Sequence, residues 1–168
     1  MQKATLEHRF PFAFEKLVDI REERYQNLDI WDMFSAAILL KEEDDGNVRT
    51  REYKLLIRTA LPLFAQKLLA SGEALACYEI TTLDRAKQQY TSDTRLRIVN
   101  SAINFVEQSL YSADGTDRSR RTIDIEASVK IPGIGKLIEK LIVHEFHEQS
   151  GVDCERILKF AKDRYNLG

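Results

Sequence analysis

Residues 122–131 run Thr-Ile-Asp-Ile-Glu-Ala-Ser-Val-Lys-Ile and alternate polar and apolar without a break. Ile123, Ile125, Ala127, Val129 and Ile131 fall on one side of an extended chain, and Thr122, Asp124, Glu126, Ser128 and Lys130 on the other. A period of two is that of a strand with one wet and one dry face. Pro132-Gly133-Ile134-Gly135 ends the strand, because proline cannot donate to a ladder and glycine frees the backbone. A helix is expected from Lys136 to about Gln149, resuming as far as Tyr165. A dry strand face followed at once by a helix with an apolar stripe places that helix on that face. The functional question is whether the space between them is filled or hollow.

The rest of the chain supplies more strands of the same kind. Thr5–Phe12 reads as a first strand, followed by a helical segment, Phe14–Gln26, with Phe14, Leu17, Val18 and Tyr25 as its stripe and Glu22, Glu23 and Arg24 facing water. Asn27–Asp32 is a connection, anchored by Trp31 and Phe34. Ala36–Lys41 and Val48–Arg58 flank an acidic, glycine-bearing turn. Leu61–Leu69, led by Pro62, reads as a short helix. Leu75–Leu83, Gln88–Ile98, Ile103–Ser112 and Arg118–Ile131 are four further strands joined by turns. Strands in series joined by turns make an antiparallel meander rather than a parallel nucleotide-binding sheet.

With 168 residues and an apolar fraction of 43%, the chain is expected to form one domain, 1–168. A net charge of −2 gives no basic excess for general nucleic-acid binding. The first ten residues contain no signal-peptide core, and the charge-free apolar run near Ser35–Leu40 is too short to span a bilayer. Cys77 and Cys154 have no metal spacing and read as two reduced thiols in a cytoplasmic protein.

Few residues carry chemistry. On the terminal helix, Ile134, Ile138, Leu141, Ile142 and Val152 share a stripe. Glu145 and Gln149 fall inside it if the helix is continuous, and would then meet a ligand's polar end. The plainer reading is a break at Ser150-Gly151, with both side chains near a solvated end and Asp153 capping a second segment. His144 and His147 are three apart, not the four of a zinc helix, and are expected to face solvent, so no metal is assigned. Arg118, Arg120, Arg121, Lys130, Lys136 and Lys140 read as solvated charge, or as contacts for anionic head groups. Arg49 and Arg51 share a strand face, so one of them is expected to point inward. No nucleophile elbow or glycine-rich phosphate loop is present, and no cofactor is expected.

The order of elements resembles the helix-grip fold of the START/Bet v 1-like (SRPBCC) superfamily, and most of all its PRELI-like lipid-transfer proteins. Leu61–Leu69 is similar to that family's proline-led insert, Ala76–Asp84 to the strand after it, and Arg121–Gly133 to the last strand and glycine hinge. The resemblance implies an α+β fold: a curved antiparallel sheet of about six or seven strands wrapped around a long C-terminal helix. It further implies a lipid or other hydrophobic small molecule held between sheet and helix, with transient membrane contact. The cavity would be lined by Ile123, Ile125, Val129, Ile138, Leu141, Ile142, Glu145, Gln149, Phe105, Tyr78 and Arg51, and lidded by Leu61, Phe64 and Leu68. The alternatives are an enzyme of cyclase or hydrolase type using the same cavity, with Glu145 or Tyr78 as acid or base, or a ligand-free interaction module.

Overall fold

The computed structural model describes residues 1–31, 34–57, 76–97 and 103–167. Seven strands form one sheet: β1 (Gln2–Phe10), β2 (Phe34–Asp44), β3 (Val48–Ile57), β4 (Ala76–Asp84), β5 (Gln89–Arg97), β6 (Ile103–Ala113) and β7 (Ser119–Val129). Their order is β1-β7-β6-β5-β4-β3-β2, and every neighbouring pair is antiparallel. The meander runs from β2 to β7, and β1 closes the far side against β7. Two helices lie early in the chain, α1 (Phe14–Glu23) and α2 (Leu28–Trp31), and one follows the sheet, α3 (Gly135–Tyr165). This curved sheet with a long C-terminal helix is the helix-grip α+β fold. The expected short helix at 61–69, with Leu61, Phe64 and Leu68, lies outside the described residues.

The alternating stretch behaves as its pattern dictates. In β7, Ser119, Arg121, Ile123, Ile125, Ala127 and Val129 are buried on the face that carries α3. Gly133 takes a positive φ of 82° to turn the chain back over this face. Gly135 then comes so close that a Cβ there would meet the Val129 carbonyl oxygen at 2.5 Å. Only glycine lets the helix start that near the strand it has just left.

Three details differ from expectation. The connection before β2 contains a helical turn, α2. The terminal helix does not break: its 31 residues pass straight through Ser150-Gly151. One mid-helix glycine costs about 1 kcal/mol relative to alanine, and this one is spanned by anchors on the sheet. Asp153 is therefore not a cap but a buried side chain facing inward. The inward side of α3 also lies further round than the expected stripe. Ile138, Asp153, Ile157 and Phe160 are buried, with Ile142 and Phe146 half-buried between them, whereas Ile134, Leu141, Glu145 and Val152 are exposed. Likewise Arg24 of the α1 exit is buried rather than solvated, and so is Arg21.

The buried apolar residues form three separate clusters rather than one. The largest joins α1, α2 and the end of α3 through Phe10, Leu17, Ile20, Trp31, Ile157 and Phe160. A second gathers Phe34, Tyr53, Leu55 and Cys77 at the β2–β4 side. The third, Phe105, Ile123, Ile125 and Ala127, sits under the first half of α3. Leu96 packs against both the second and the third, and polar residues of β4, β5 and β6 lie between these and the first.

Candidate ligand-binding site

The register of the sheet defines rows that run across the face carrying α3. Leu55, Cys77, Leu96, Phe105 and Ala127 stand side by side on β3 to β7. The next row is Tyr53, Glu79, Thr94, Glu107 and Ile125, and the one after is Arg51, Thr81, Ser92, Ser109 and Ile123. Beyond it come Arg49, Leu83, Tyr90, Tyr111 and Arg121, with His8 on β1 opposite Arg121. The two middle rows form a polar belt at the centre of the sheet. Glu79 is 2% exposed, and Thr81, Ser92, Thr94 and Ser109 are all buried.

Buried polar groups need partners, and the two carboxylates of the belt differ in this. Glu79 accepts from the Arg24 guanidinium, from the Tyr25 hydroxyl and, at 3.1 Å, from the Thr94 hydroxyl. Tyr25 in turn stacks on Tyr53 with ring centroids 3.9 Å apart. Glu107, half-buried, has one hydrogen bond among the described residues, from the Ser109 hydroxyl at 3.2 Å. Desolvation, and after it the charge of Glu79, push the Glu107 carboxyl above its ordinary value, against the opposing pull of Arg121, Arg24 and Arg21. The Tyr90 hydroxyl is buried and has no partner among the described residues, and burial raises it well above a normal phenol.

A second polar set fixes the helices over this belt. Asp153 of α3 accepts twice from Arg21 of α1, at 3.0 Å, and again from Arg121 of β7. Arg121, 1% exposed, also reaches His8 and the Ser150 carbonyl oxygen. Desolvation pushes the Asp153 carboxyl up, but the guanidiniums of Arg21, Arg121 and Arg24 outweigh it and hold the group well below the usual carboxylate range. The imidazole of His8, desolvated and beside Arg121, is lowered to about 4.

The expected cavity residues therefore fall into three groups. Ile123, Ile125 and Phe105 lie together in one buried cluster under the first half of α3, where Phe146 stacks on Phe105 at 3.9 Å, and Val129 and Ile138 are buried as well. Ile142 is half-buried beside them. Gly135 lets the start of the helix down onto Val129 at one end of this contact. Leu141, 44% exposed, and Glu145 are on the outer side of α3, where Glu145 accepts from the half-buried Gln149 at 3.1 Å. Tyr78 is on the opposite face of β4 from Glu79. Arg51 does point to the helix side, where it is half-buried and paired with Glu22 and, at 2.6 Å, with Glu42. His144 and His147 are exposed, and among the described residues no cluster of ligands could hold a metal ion.

Glu79 and Glu107 are the site residues that the sequence reading passed over, while Arg24 and Arg121, read there as solvated charge or, for Arg121, a head-group contact, are buried and paired with Glu79 and Asp153. A signal was available: Glu79 is in phase with Cys77 and Leu83, and Glu107 with Phe105 and Tyr111. Among the described residues, one surface cleft lies away from the belt and another opens at its Arg51 end. One of about 490 Å³ is lined by Glu23, Asn27, Arg156, Lys159 and Phe160 between α1 and the end of α3. The other, of about 350 Å³, has Glu22, Arg49, Arg51, Leu83 and Arg85 in its wall. No helix among the described residues is long and apolar enough to cross a membrane.

Comparison with solved structures agrees with this architecture. An aromatase/cyclase from a Streptomyces species superposes with a TM-score of 0.65 at 12% identity, over 98% of this chain and 96% of that one. A START superfamily protein from Mycobacterium smegmatis gives 0.57 at 16% identity, over 94% and 97%. Norcoclaurine synthase from Thalictrum flavum, solved with dopamine and hydroxybenzaldehyde, gives 0.57 at 12%, over 97% and 87%. At such identities the likeness is one of fold, and the fold is that of the START/Bet v 1-like superfamily. No curated protein matches the chain in sequence. A family model described as a protein of unknown function, DUF2505, matches residues 7–158, and the chain belongs to that family.

Proposed function

We propose that this protein binds a small, largely apolar molecule with one polar end, between the sheet and α3, and sequesters or carries it. One observation carries the reading: a polar belt at the centre of the face under the helices, with the apolar row of Leu55, Cys77, Leu96, Phe105 and Ala127 on one side of it and the cluster containing Tyr90 and Tyr111 on the other. Leu96 and Glu107 point to the helix side yet are only half-buried, as are Ile142, Val143 and Phe146 opposite them. An apolar body lying against Leu96, Phe105 and Phe146 would gain roughly 25 cal/mol for each Å² removed from water. The belt would fix the polar end, as in most small-molecule sites.

The likeness to PRELI-like proteins points to lipids, with transfer between membranes as the activity. Against a phospholipid stands the pairing of charge. Arg21, Arg24, Arg51 and Arg121, the guanidiniums around the belt, each already face a carboxylate. A ligand with a small polar end suits the belt better than one with a phosphate. The exposed run Ile38, Leu39 and Leu40 in β2 offers an apolar patch for transient membrane contact. The free thiols of Cys77 and Cys154 fit a cytoplasmic carrier.

A second reading is an enzyme that turns over an apolar substrate in the same place. Glu107, desolvated and underpaired, favours it, since perturbed carboxyls gather at catalytic sites. Two of the structural neighbours are enzymes by name, and one is solved with an aromatic aldehyde. Native mass spectrometry on the purified protein, followed by organic extraction, tests the carrier reading. A co-purifying apolar molecule supports it and names the ligand class. An apo mass that stays unchanged after incubation with mixed lipid vesicles speaks for the enzyme reading or for a partner-binding module.

A further inference from the structure

Of the two carboxyl groups in the polar belt, one is spoken for and one is not. Glu79 is saturated by Arg24, Tyr25 and Thr94. Glu107 stands across Thr94 from it in the same row, points to the helix side, and receives only the Ser109 hydroxyl among the described residues. It is half-buried, beside the apolar row of Leu96 and Phe105 on which Phe146 rests. A carboxyl in this position has unmet hydrogen-bonding capacity facing a partly desolvated space. Its environment works against ionisation through desolvation and the neighbouring Glu79 charge. Building on the proposed binding function, we propose that Glu107 meets the bound molecule as a hydrogen-bond donor. The polar end of that molecule is then an uncharged acceptor oxygen, such as a ketone, aldehyde or ester, on an apolar body.

The charges around Glu107 fit this assignment. Arg21 and Arg121 share Asp153, and Arg24 is taken by Glu79, so an anionic end would compete with existing ion pairs. The titratable groups facing it are Glu79 and Cys77 on β4, Arg121 on β7, Arg21 and Arg24 from α1, and Asp153 on α3. Asp153 is held ionised far below neutrality and the Cys77 thiol is pushed up to about 12, so neither changes charge between pH 5 and pH 8.

The test is displacement of the neutral dye Nile red from the full chain by three ligands of similar apolar body: methyl nonyl ketone, undecane and decanoate. While Glu107 is protonated the ketone is expected to bind about five- to tenfold more tightly than the alkane, the size of one net hydrogen bond. As pH is raised and Glu107 ionises, that preference fades. Glu107→Gln, whose amide donates at every pH, keeps the preference throughout. Glu107→Leu abolishes it. Equal binding of ketone and alkane to the wild type at every pH, binding of decanoate at pH 8 tighter than that of the ketone, or a preference that survives Glu107→Leu overturns the role of Glu107 while leaving the binding function intact. No Nile red binding at all overturns both.

Discussion

The two halves of α3 are held to the sheet by different physics. In the first half Phe146 stacks on Phe105, and Ile142 and Val143 pack against Ile123, Ile125 and Ala127. In the second half Asp153 lies between two guanidiniums, one from α1 and one from β7, and Ile157 and Phe160 join the cluster of α1. The apolar contact is non-directional and tolerates a partner of similar volume. The ionic contact specifies position, since removing Asp153 leaves two buried guanidiniums without their carboxylate. One helix thus combines a permissive seat near the proposed site with a strict one beyond it.

The largest expected effect comes from breaking the strict seat. Asp153→Ala strands Arg21 and Arg121 and should cost about 3–5 kcal/mol, read as a fall in the urea midpoint. Replacing all three residues with apolar side chains of similar volume should recover most of that loss. If the triple variant is as weak as the single one, the comparison of the two halves is wrong. Next is Ile125→Ala in the permissive seat, expected to cost about 2–5 kcal/mol through lost burial and the cavity left behind.

Acid should act mainly on the second half, although Glu139 in the first half, which accepts from the Met1 ammonium and the Val129 N–H, is also held below its ordinary value and loses its contribution in the same direction. The folded Asp153 carboxyl titrates below its ordinary value, so its stabilisation is present above about pH 4 and lost as pH falls further. His8 acts earlier. Its folded imidazole titrates at about 4 against an ordinary 6.5, so between those values the unfolded chain binds more protons and stability declines as pH drops. Amide hydrogen exchange along α3 at pH 7, 5 and 3.5 should show protection fading first around Asp153. Uniform fading would mean that the helix answers as one cooperative unit. The smallest effect is Gly151→Ala. Nothing lies within 4 Å of a Cβ at this helical, exposed position, so alanine should stabilise by roughly 0.5–1 kcal/mol.

The sheet was readable from the sequence because β7, and to a lesser degree β3 to β6, carry their faces in alternation. The polar belt was not, for a physical reason. In β4 the apolar Tyr78 and Ile80 look like the buried phase, but they face away from α3, and Glu79 between them faces in. Parity finds a strand but cannot say which side a polar residue takes when a distant arginine will neutralise it. Arg24 and Glu79 are 55 residues apart, and Arg21 and Asp153 are 132 apart. Nothing local marks either pair. The continuity of α3 was hidden in the same way, since the support for Gly151 comes from Arg121 reaching the carbonyl of Ser150.

That continuity limits how the proposed ligand would enter. A 31-residue helix is a rod of about 46 Å, and one without a hinge cannot lift one end while the other stays flat. With Asp153 pinned between α1 and β7, the rod has a fulcrum past its midpoint, and any tilt that opens the Phe146 side drives the Phe160 end into α1. The smaller movement is a turn of the Phe146 ring off Phe105, a side-chain gate in a frame that stays still.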